Sequence, residues 1–112
     1  MSGTEGIKTV LHPVTDLGKA KALYGALLGA EPSADSEYYV GFDVEGQHIG
    51  LVPGSDEAGP VSYWHVADID AKLAEVTAAG GTVKQAPRNV GGTRRVATFT
   101  DPDGNVLGLL QD

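Results

Sequence analysis

Three histidines, His12, His48 and His65, are the residues of this 112-residue chain best suited to chemistry. An imidazole exchanges a proton near neutral pH and can also ligate a divalent metal. Tyr63 stands two residues before His65. Residues i and i+2 of a strand share a face, so Tyr63 and His65 form a phenol–imidazole pair that can orient a ligand or serve as general acid and base. The same alternation puts Val61 beside them. It turns Trp64 away, toward a helix layer or a partner subunit. Thr9, Leu11 and Pro13 share one face of a first strand and His12 takes the other. His48 shares a face with Gly50, so His48 and His65 can both line a pocket. Two histidines with no nearby carboxylate on the same strands make a poor metal site, and no metal or other cofactor is expected. His65 by itself also suits a partly buried ring hydrogen-bonded to backbone.

Tyr38, Tyr39 and Phe42 supply aromatic surface from another strand. Only one of Tyr38 and Tyr39 can face inward; Tyr39 is carried as the candidate. Tyr24 falls on an apolar helix face and reads as core. Arg88, Arg94 and Arg95 flank Gly91–Gly92. They suit either an anion-recognising lid, with Arg94 as the candidate contact, or ordinary solvated arginines with local acidic partners. Asp101 and Asp103 need no role beyond turn chemistry. The chain has neither a glycine-rich phosphate loop nor a serine nucleophile elbow.

The elements that position these residues come in pairs. DVEGQHIGL (43–51) returns as DPDGNVLGL (101–109), and HPVTDL (12–17) is answered by WHVADI (64–69). Self-similarity of this kind governs the fold, and two copies are too few for a solenoid. Each copy reads as strand, helix and then three strands. In the first, a strand covers 7–14, Asp16 caps a helix and Gly29 ends it, with Leu17, Ala20, Leu23, Tyr24, Leu27 and Leu28 on one face. A short strand or turn at 30–34 precedes strands at 38–44 and 47–52, joined by a Glu45–Gly46 turn. PGSDEAGP (53–60) is a linker. In the second copy a strand covers 61–66. Asp68 caps a helix carrying Ile69, Leu73 and Val76, and Gly80–Gly81 ends it. Strands follow at 82–85, 95–100 and 106–110, with a flexible loop at 87–93. The expected class is α+β: two βαβββ modules (7–52 and 61–111) in one domain over 1–112. They form a curved mixed sheet with a shared concave cavity and helices on the outer face.

The formal charge of −7, from 15 acidic and 8 basic side chains, argues against a nucleic-acid partner. No apolar run is long enough to span a bilayer, and no signal peptide is evident, so no membrane association is expected. The chain has no cysteine. Disulfides and thiolate chemistry are therefore excluded, and a cytoplasmic setting is expected.

VTDLGKAKALYGALLG (14–29), VADIDAKLAEVTAAGGTV (66–83) and FTDPDGNVLGLLQ (99–111), together with the hairpin at 43–51, resemble the vicinal oxygen chelate superfamily, also called the glyoxalase/bleomycin resistance/dioxygenase superfamily. The resemblance implies paired βαβββ modules, often in homodimers, and in many members a divalent metal on four strand positions. Those positions correspond here to Thr9, Gly50, Val61 and Gly108. A lone hydroxyl, a valine and two glycines do not make a ligand set. The two glycines either leave room for a flat or bulky ligand or permit close packing of a neighbouring element.

The leading expectation is a metal-independent small-molecule binding protein, acting by sequestration or in resistance, for a small hydrophobic or aromatic ligand. Its candidate contacts are Leu11, Tyr39, His48, Gly50, Tyr63, His65, Arg94 and Gly108. A divergent lyase, isomerase or dioxygenase with an atypical metal site, and a structural or regulatory dimer with a vestigial pocket, are the alternatives.

Overall fold

A computed structural model describes residues 3–112. The elements run β1 (Ile7–Val14), α1 (Leu17–Leu28), β2 (Ala34–Asp35), β3 (Val40–Val44), β4 (Gln47–Pro53), β5 (Val61–His65), α2 (Ile69–Ala78), β6 (Thr82–Gly91), β7 (Arg94–Thr100) and β8 (Val106–Gln111). The fold is α+β. The described residues divide into two compact units, Lys8–Val61 and Ser62–Asp112, with residues 3–7 joining the latter.

Each unit carries the same wiring. In the first, the strand order is β2-β3-β4-β1, with β1 parallel to β4 and the other neighbours antiparallel. In the second it is β6-β7-β8-β5, with β5 parallel to β8. The registers repeat as well: Leu11 stands opposite Gly50, and Tyr63 opposite Gly108. The repeat read from the sequence is therefore a repeat of topology and of strand pairing.

Local chemistry sets the helix ends. The Asp16 carboxylate accepts the Lys19 amide at 3.0 Å, satisfying a donor the first helical turn leaves open. Gly29 closes α1 in the left-handed region, φ 62° and ψ 36°, where a side chain would be strained. Asp68 repeats the cap on α2, accepting from Ala71 at 3.0 Å. The Gly81 amide then donates to Val76 O at 2.8 Å.

One face of each unit's strands packs on its helix. In the first unit Val40, Phe42 and Leu51 are buried against Leu17, Ala20, Tyr24 and Leu28. In the second, Val66, Ile69, Leu73, Ala97, Phe99 and Leu109 form the core, with Trp64 packed on it. Each fully buried side chain of this size contributes about 1.5–3 kcal/mol. Leu23 and Leu27 do not join the expected apolar face of α1; they are 66% and 73% exposed. At 100° per residue, Leu17, Tyr24 and Leu28 fall within about 40° of one another, whereas Leu23 and Leu27 lie well round the flank.

Two further expectations are corrected. Residues 87–91 are strand, not loop: β6 continues to Gly91 and pairs Arg88 with Val96 and Asn89 with Arg95. Register shifts along β6 absorb Pro87, which an edge strand tolerates. Strand β3 begins at Val40 rather than Tyr38. The Ser36 hydroxyl accepts the Tyr38 and Tyr39 amides at 3.2 and 3.1 Å and holds both in a turn.

Candidate functional site

The helix-free face of each unit carries the candidate residues. In the first unit Thr9, Leu11 and Pro13 of β1 register with His48, Gly50 and Val52 of β4, which register in turn with Asp43 and Gly41 of β3. Val10, His12 and Val14 take the opposite side. His12 there meets Tyr24 on α1, Nδ1 to the hydroxyl at 3.3 Å with ring centroids 5.1 Å apart. Burial lowers the His12 pKa from its ordinary value, because a charged ring is poorly solvated there. His12 belongs to the helix side, as alternation predicts, and Tyr24 belongs to the core.

Tyr39 resolves the choice between the two adjacent tyrosines. Tyr38 is 80% exposed. Tyr39 reaches from its turn onto the helix-free face, where its ring stacks on His48 at a centroid distance of 5.9 Å and an interplanar angle of 10°. Its hydroxyl is hydrogen-bonded to His48 Nε2. His48 Nδ1 lies 2.9 Å from Asp43 Oδ1, and the Ser33 hydroxyl donates to Asp43 Oδ2. Ser33, Asp43, His48 and Tyr39 thus make one continuous hydrogen-bonded row. His48 is 20% exposed and Asp43 62%, so the row borders solvent. Phe42 is fully buried on the helix side and takes no part.

Asp43 is the functional residue the sequence reasoning missed. A two-residue turn at Glu45–Gly46 forces Val44 opposite Gln47 and Asp43 opposite His48. The carboxylate absent from His48's own strand is supplied by its neighbour. Counting back from the turn would have found it.

Gly41, Gly50 and Gly108 show what the missing side chains make room for. A Cβ on Gly41 would lie 2.7 Å from His48 Cε1 and 2.9 Å from Tyr39 Cε2. One on Gly50 would meet the Tyr39 hydroxyl and lie 2.5 Å from Leu11 Cδ2. One on Gly108 would lie 2.6 Å from Tyr63 Cε2 and 2.7 Å from Tyr63 Cγ. The space beside these glycines is therefore taken by the chain's own rings and by Leu11. Close packing is the alternative that holds.

In the second unit Ala97 and Phe99 lie in the helix core, which sets Arg94 and Thr98 on the helix-free face with Tyr63, His65 and Gly108. Tyr63 is buried, and the His65 backbone pairs with Gly6 and Glu5, N–H to Gly6 O at 3.0 Å and O from Glu5 N at 2.8 Å. Thr98 is 3% exposed, and among the described residues its hydroxyl has no hydrogen-bond partner. A buried polar group in that condition calls for a partner. Arg94 Nε is 2.7 Å from Asp112 Oδ1, and Arg95 grips both Asp70 oxygens at 2.8 and 3.3 Å. That contact draws the Asp70 carboxyl below its usual range. For Arg94 and Arg95 the local pairing is the reading that holds. Asp101 accepts the amides of Asp103 and Asn105 at 3.0 and 2.9 Å, as turn chemistry requires.

The metal positions implied by the family do not fit a divalent cation. Thr9 is 3% exposed and offers one hydroxyl; Val61 offers no donor; tyrosine rings lie beside Gly50 and Gly108. Among the described residues no three His, Asp or Glu side chains are grouped so as to hold a metal ion. His48 with Asp43 provides two donors and no more. An open cleft of about 480 Å³ lies elsewhere, on the α1 side of the first unit beside Lys21, Gly25 and Phe42. No candidate residue lines it, and Lys21 is ion-paired with Asp35 at 2.5 Å.

The repeated topology and these faces define a class. The chain belongs to the Glyoxalase/Bleomycin resistance protein/Dioxygenase superfamily, whose family model matches residues 6–109. Among curated proteins it is similar to CFP32 of Mycobacterium tuberculosis, named provisionally as a glyoxylase, at 29% identity over 110 residues, 87% of this chain and 42% of that protein. It is also 41% identical over 66 residues to the anthracycline biosynthesis protein DauV of Streptomyces sp. strain C5, covering 55% of this chain and 24% of that one. The chain spans about two fifths of the length of the mycobacterial relative. Among solved structures, the Mn(II)-bound glyoxalase of Novosphingobium aromaticivorans superposes with a TM-score of 0.77 at 26% identity, over 100% of this chain and 40% of that one. A Streptomyces coelicolor methylmalonyl-CoA epimerase complex gives 0.77 at 17% identity over 98% and 99% of the two chains, a likeness of fold. No helix among the described residues is long and apolar enough to cross a membrane.

Proposed function

We propose that this protein is a metal-independent small-molecule binder of the glyoxalase/bleomycin resistance type, acting by sequestration or in resistance. The ligand is small and hydrophobic or aromatic. It lies on the helix-free face of the first unit against Leu11 and Tyr39, with His48 supplying direction. One observation carries this reading: the positions that would ligate a metal are a threonine, a valine and two glycines, and aromatic rings with Leu11 occupy the space beside the glycines. Aromatic and aliphatic contact supplies about 25 cal/mol per Å² of apolar surface covered, and a few polar groups fix orientation. Likeness to a protein named for anthracycline biosynthesis supports an aromatic ligand class. A second reading, a divergent lyase or isomerase, draws support from the Tyr39–His48–Asp43 row, because binding alone does not need a carboxylate behind the imidazole.

Metal analysis of protein purified without chelators, paired with thermal-shift screening against aromatic antibiotics and small ketones, tests the reading. We expect far less than one metal ion per chain and a rise in melting temperature with an aromatic compound. A ligand at 100 times its Kd stabilises by about 2.7 kcal/mol. Tyr39→Ala should abolish that rise. Stoichiometric metal that disappears in a His48→Ala/His65→Ala double variant would overturn the reading.

A further inference from the structure

We propose that Tyr39 is an activated phenol: a general acid–base residue whose proton is exchanged with His48 and whose working geometry is set by Asp43 and Ser33. The proposal deepens the ligand site inferred above and assigns it chemistry. It takes as substrate class a small molecule that exchanges a proton with the phenol oxygen.

Donor directions along the row follow from which atoms can only accept. The Asp43 carboxylate can only accept, so the Ser33 hydroxyl and His48 Nδ1–H both donate to it. A neutral His48 with its proton on Nδ1 presents a lone pair at Nε2. The Tyr39 hydroxyl is bonded to that nitrogen and therefore donates to it. The two bonds from phenol to imidazole and from imidazole to carboxylate then point the same way, and Ser33 donates to Asp43 from its other side. The step balances: the Tyr39 O–H bond breaks as its proton passes to Nε2, and the phenol oxygen takes the substrate's proton. The substrate's bond to that hydrogen breaks with its electron pair left on the substrate, which becomes an anion, while the site gains one positive charge, held as imidazolium against Asp43. The reverse step returns the proton.

The surroundings suit this role better than a purely structural one. His48 faces Tyr39 from the turn before β3, Asp43 from β3 and the uncharged Thr9 from β1, so no cation in that set opposes its protonation. Gly41 keeps the imidazole and the phenol together, since any side chain there would drive into both rings. A nucleophile, a base and an orienting carboxylate in hydrogen-bonded sequence is the arrangement by which side chains of ordinary pKa are activated. Tyr39 would touch substrate; Asp43 and Ser33 are positioning residues.

The neighbouring tyrosine provides an internal control. Tyr38 is 80% exposed, while Tyr39 is half-buried. The full chain is treated with 4-(2-aminoethyl)benzenesulfonyl fluoride and labelling at each tyrosine is followed by peptide mass spectrometry. In this reaction the phenol oxygen bonds to sulfur, the S–F bond breaks and fluoride leaves. The phenol's proton goes to His48. If exposure governs, Tyr38 is labelled first. Activation predicts that Tyr39 reacts about tenfold faster than Tyr38. His48→Gln and Asp43→Asn should both slow Tyr39 to the Tyr38 rate or below while Tyr38 itself is unchanged, which also reports an intact fold. Asp43 is well exposed, so its variant keeps the test open should His48→Gln misfold. Faster labelling of Tyr38, or a Tyr39 rate indifferent to both substitutions, overturns the proposal. The readout needs no ligand. Labelling that follows the prediction while no compound shifts the melting temperature would sink the binding reading and leave the activated phenol standing.

Discussion

Glycine decides the site at the scale of single residues. Gly50 and Gly108 occupy equivalent registers, yet their neighbours differ in freedom. Beside Gly50 the nearest atoms are the hydroxyl end of Tyr39 and a methyl of Leu11, groups at the tips of rotatable side chains. Beside Gly108 the crowding extends to Tyr63 Cγ, 2.7 Å from a new Cβ and next to the backbone. That ring cannot clear the space without leaving its rotamer. Gly108→Ala should therefore destabilise the fold by about 1–3 kcal/mol, as overpacking does. Gly50→Ala should cost less in stability and should displace Tyr39 from His48. Urea unfolding midpoints rank the two variants. Equal losses would mean that Tyr63 yields as readily as Tyr39.

The β3–β4 hairpin is the element that assembles the proposed chemistry. Its two central residues both have positive φ, 51° at Glu45 and 76° at Gly46, the conformation of a tight two-residue hairpin turn. This turn length places Asp43 across from His48, and one residue more would slip the register and part the pair. Glu45 is the costly member, since a non-glycine residue with a β-carbon seldom takes positive φ. Glu45→Asn should stabilise the protein by about 0.5 kcal/mol and leave the Asp43–His48 contact intact. Chemical denaturation measures the gain. A loss of stability would show that Glu45 makes contacts worth more than its backbone strain. The hairpin was legible in the sequence as an apolar–polar alternation around Glu-Gly. Its consequence for Asp43 was equally legible, as an opposed pair counted outward from the turn. Tyr39, carried as the inward candidate, keeps the face of Gly41 and Asp43 although it stands in the Ser36 turn, but its bond to His48 was not legible, because that contact exists only once β3 and β4 have paired.

Titration acts on the whole molecule, through differences between the native and unfolded chain. His12 is half-buried against Tyr24 with its pKa lowered by desolvation. The unfolded chain takes up a proton at this histidine near pH 6.5, whereas the native chain does so only at lower pH. Stability should therefore fall as pH drops through about 6.5 and level off below the native value. Asp70 and Asp101 have lowered pKa values, from the Arg95 contact and from Asn105 respectively. Their contribution is present above the ordinary carboxylate range and is lost as pH falls through their native values. Two descending limbs are thus expected. His12→Gln should remove the upper limb and leave the lower one, and unfolding midpoints at pH 7.5, 5.5 and 3 would show it. An unchanged upper limb would assign that slope to another group.

The sequence by itself determined the paired modules, both helix caps, the turn at 45–46 and the sides on which His12 and Trp64 lie. These depend on short-range rules: strand alternation, helix capping, turn chemistry and a repeat visible in the residues themselves. Tertiary structure alone decided that rings and Leu11 close over Gly50 and Gly108, that Arg94 and Arg95 are spent on Asp112 and Asp70, and that β6 runs on through Pro87. It also brought Tyr39 to the His48 imidazole and Ser33 to the Asp43 carboxylate, 9 and 10 residues away along the chain. Side chains that reach over a sheet from a turn obey no period, so their contacts exist only once the strands have paired.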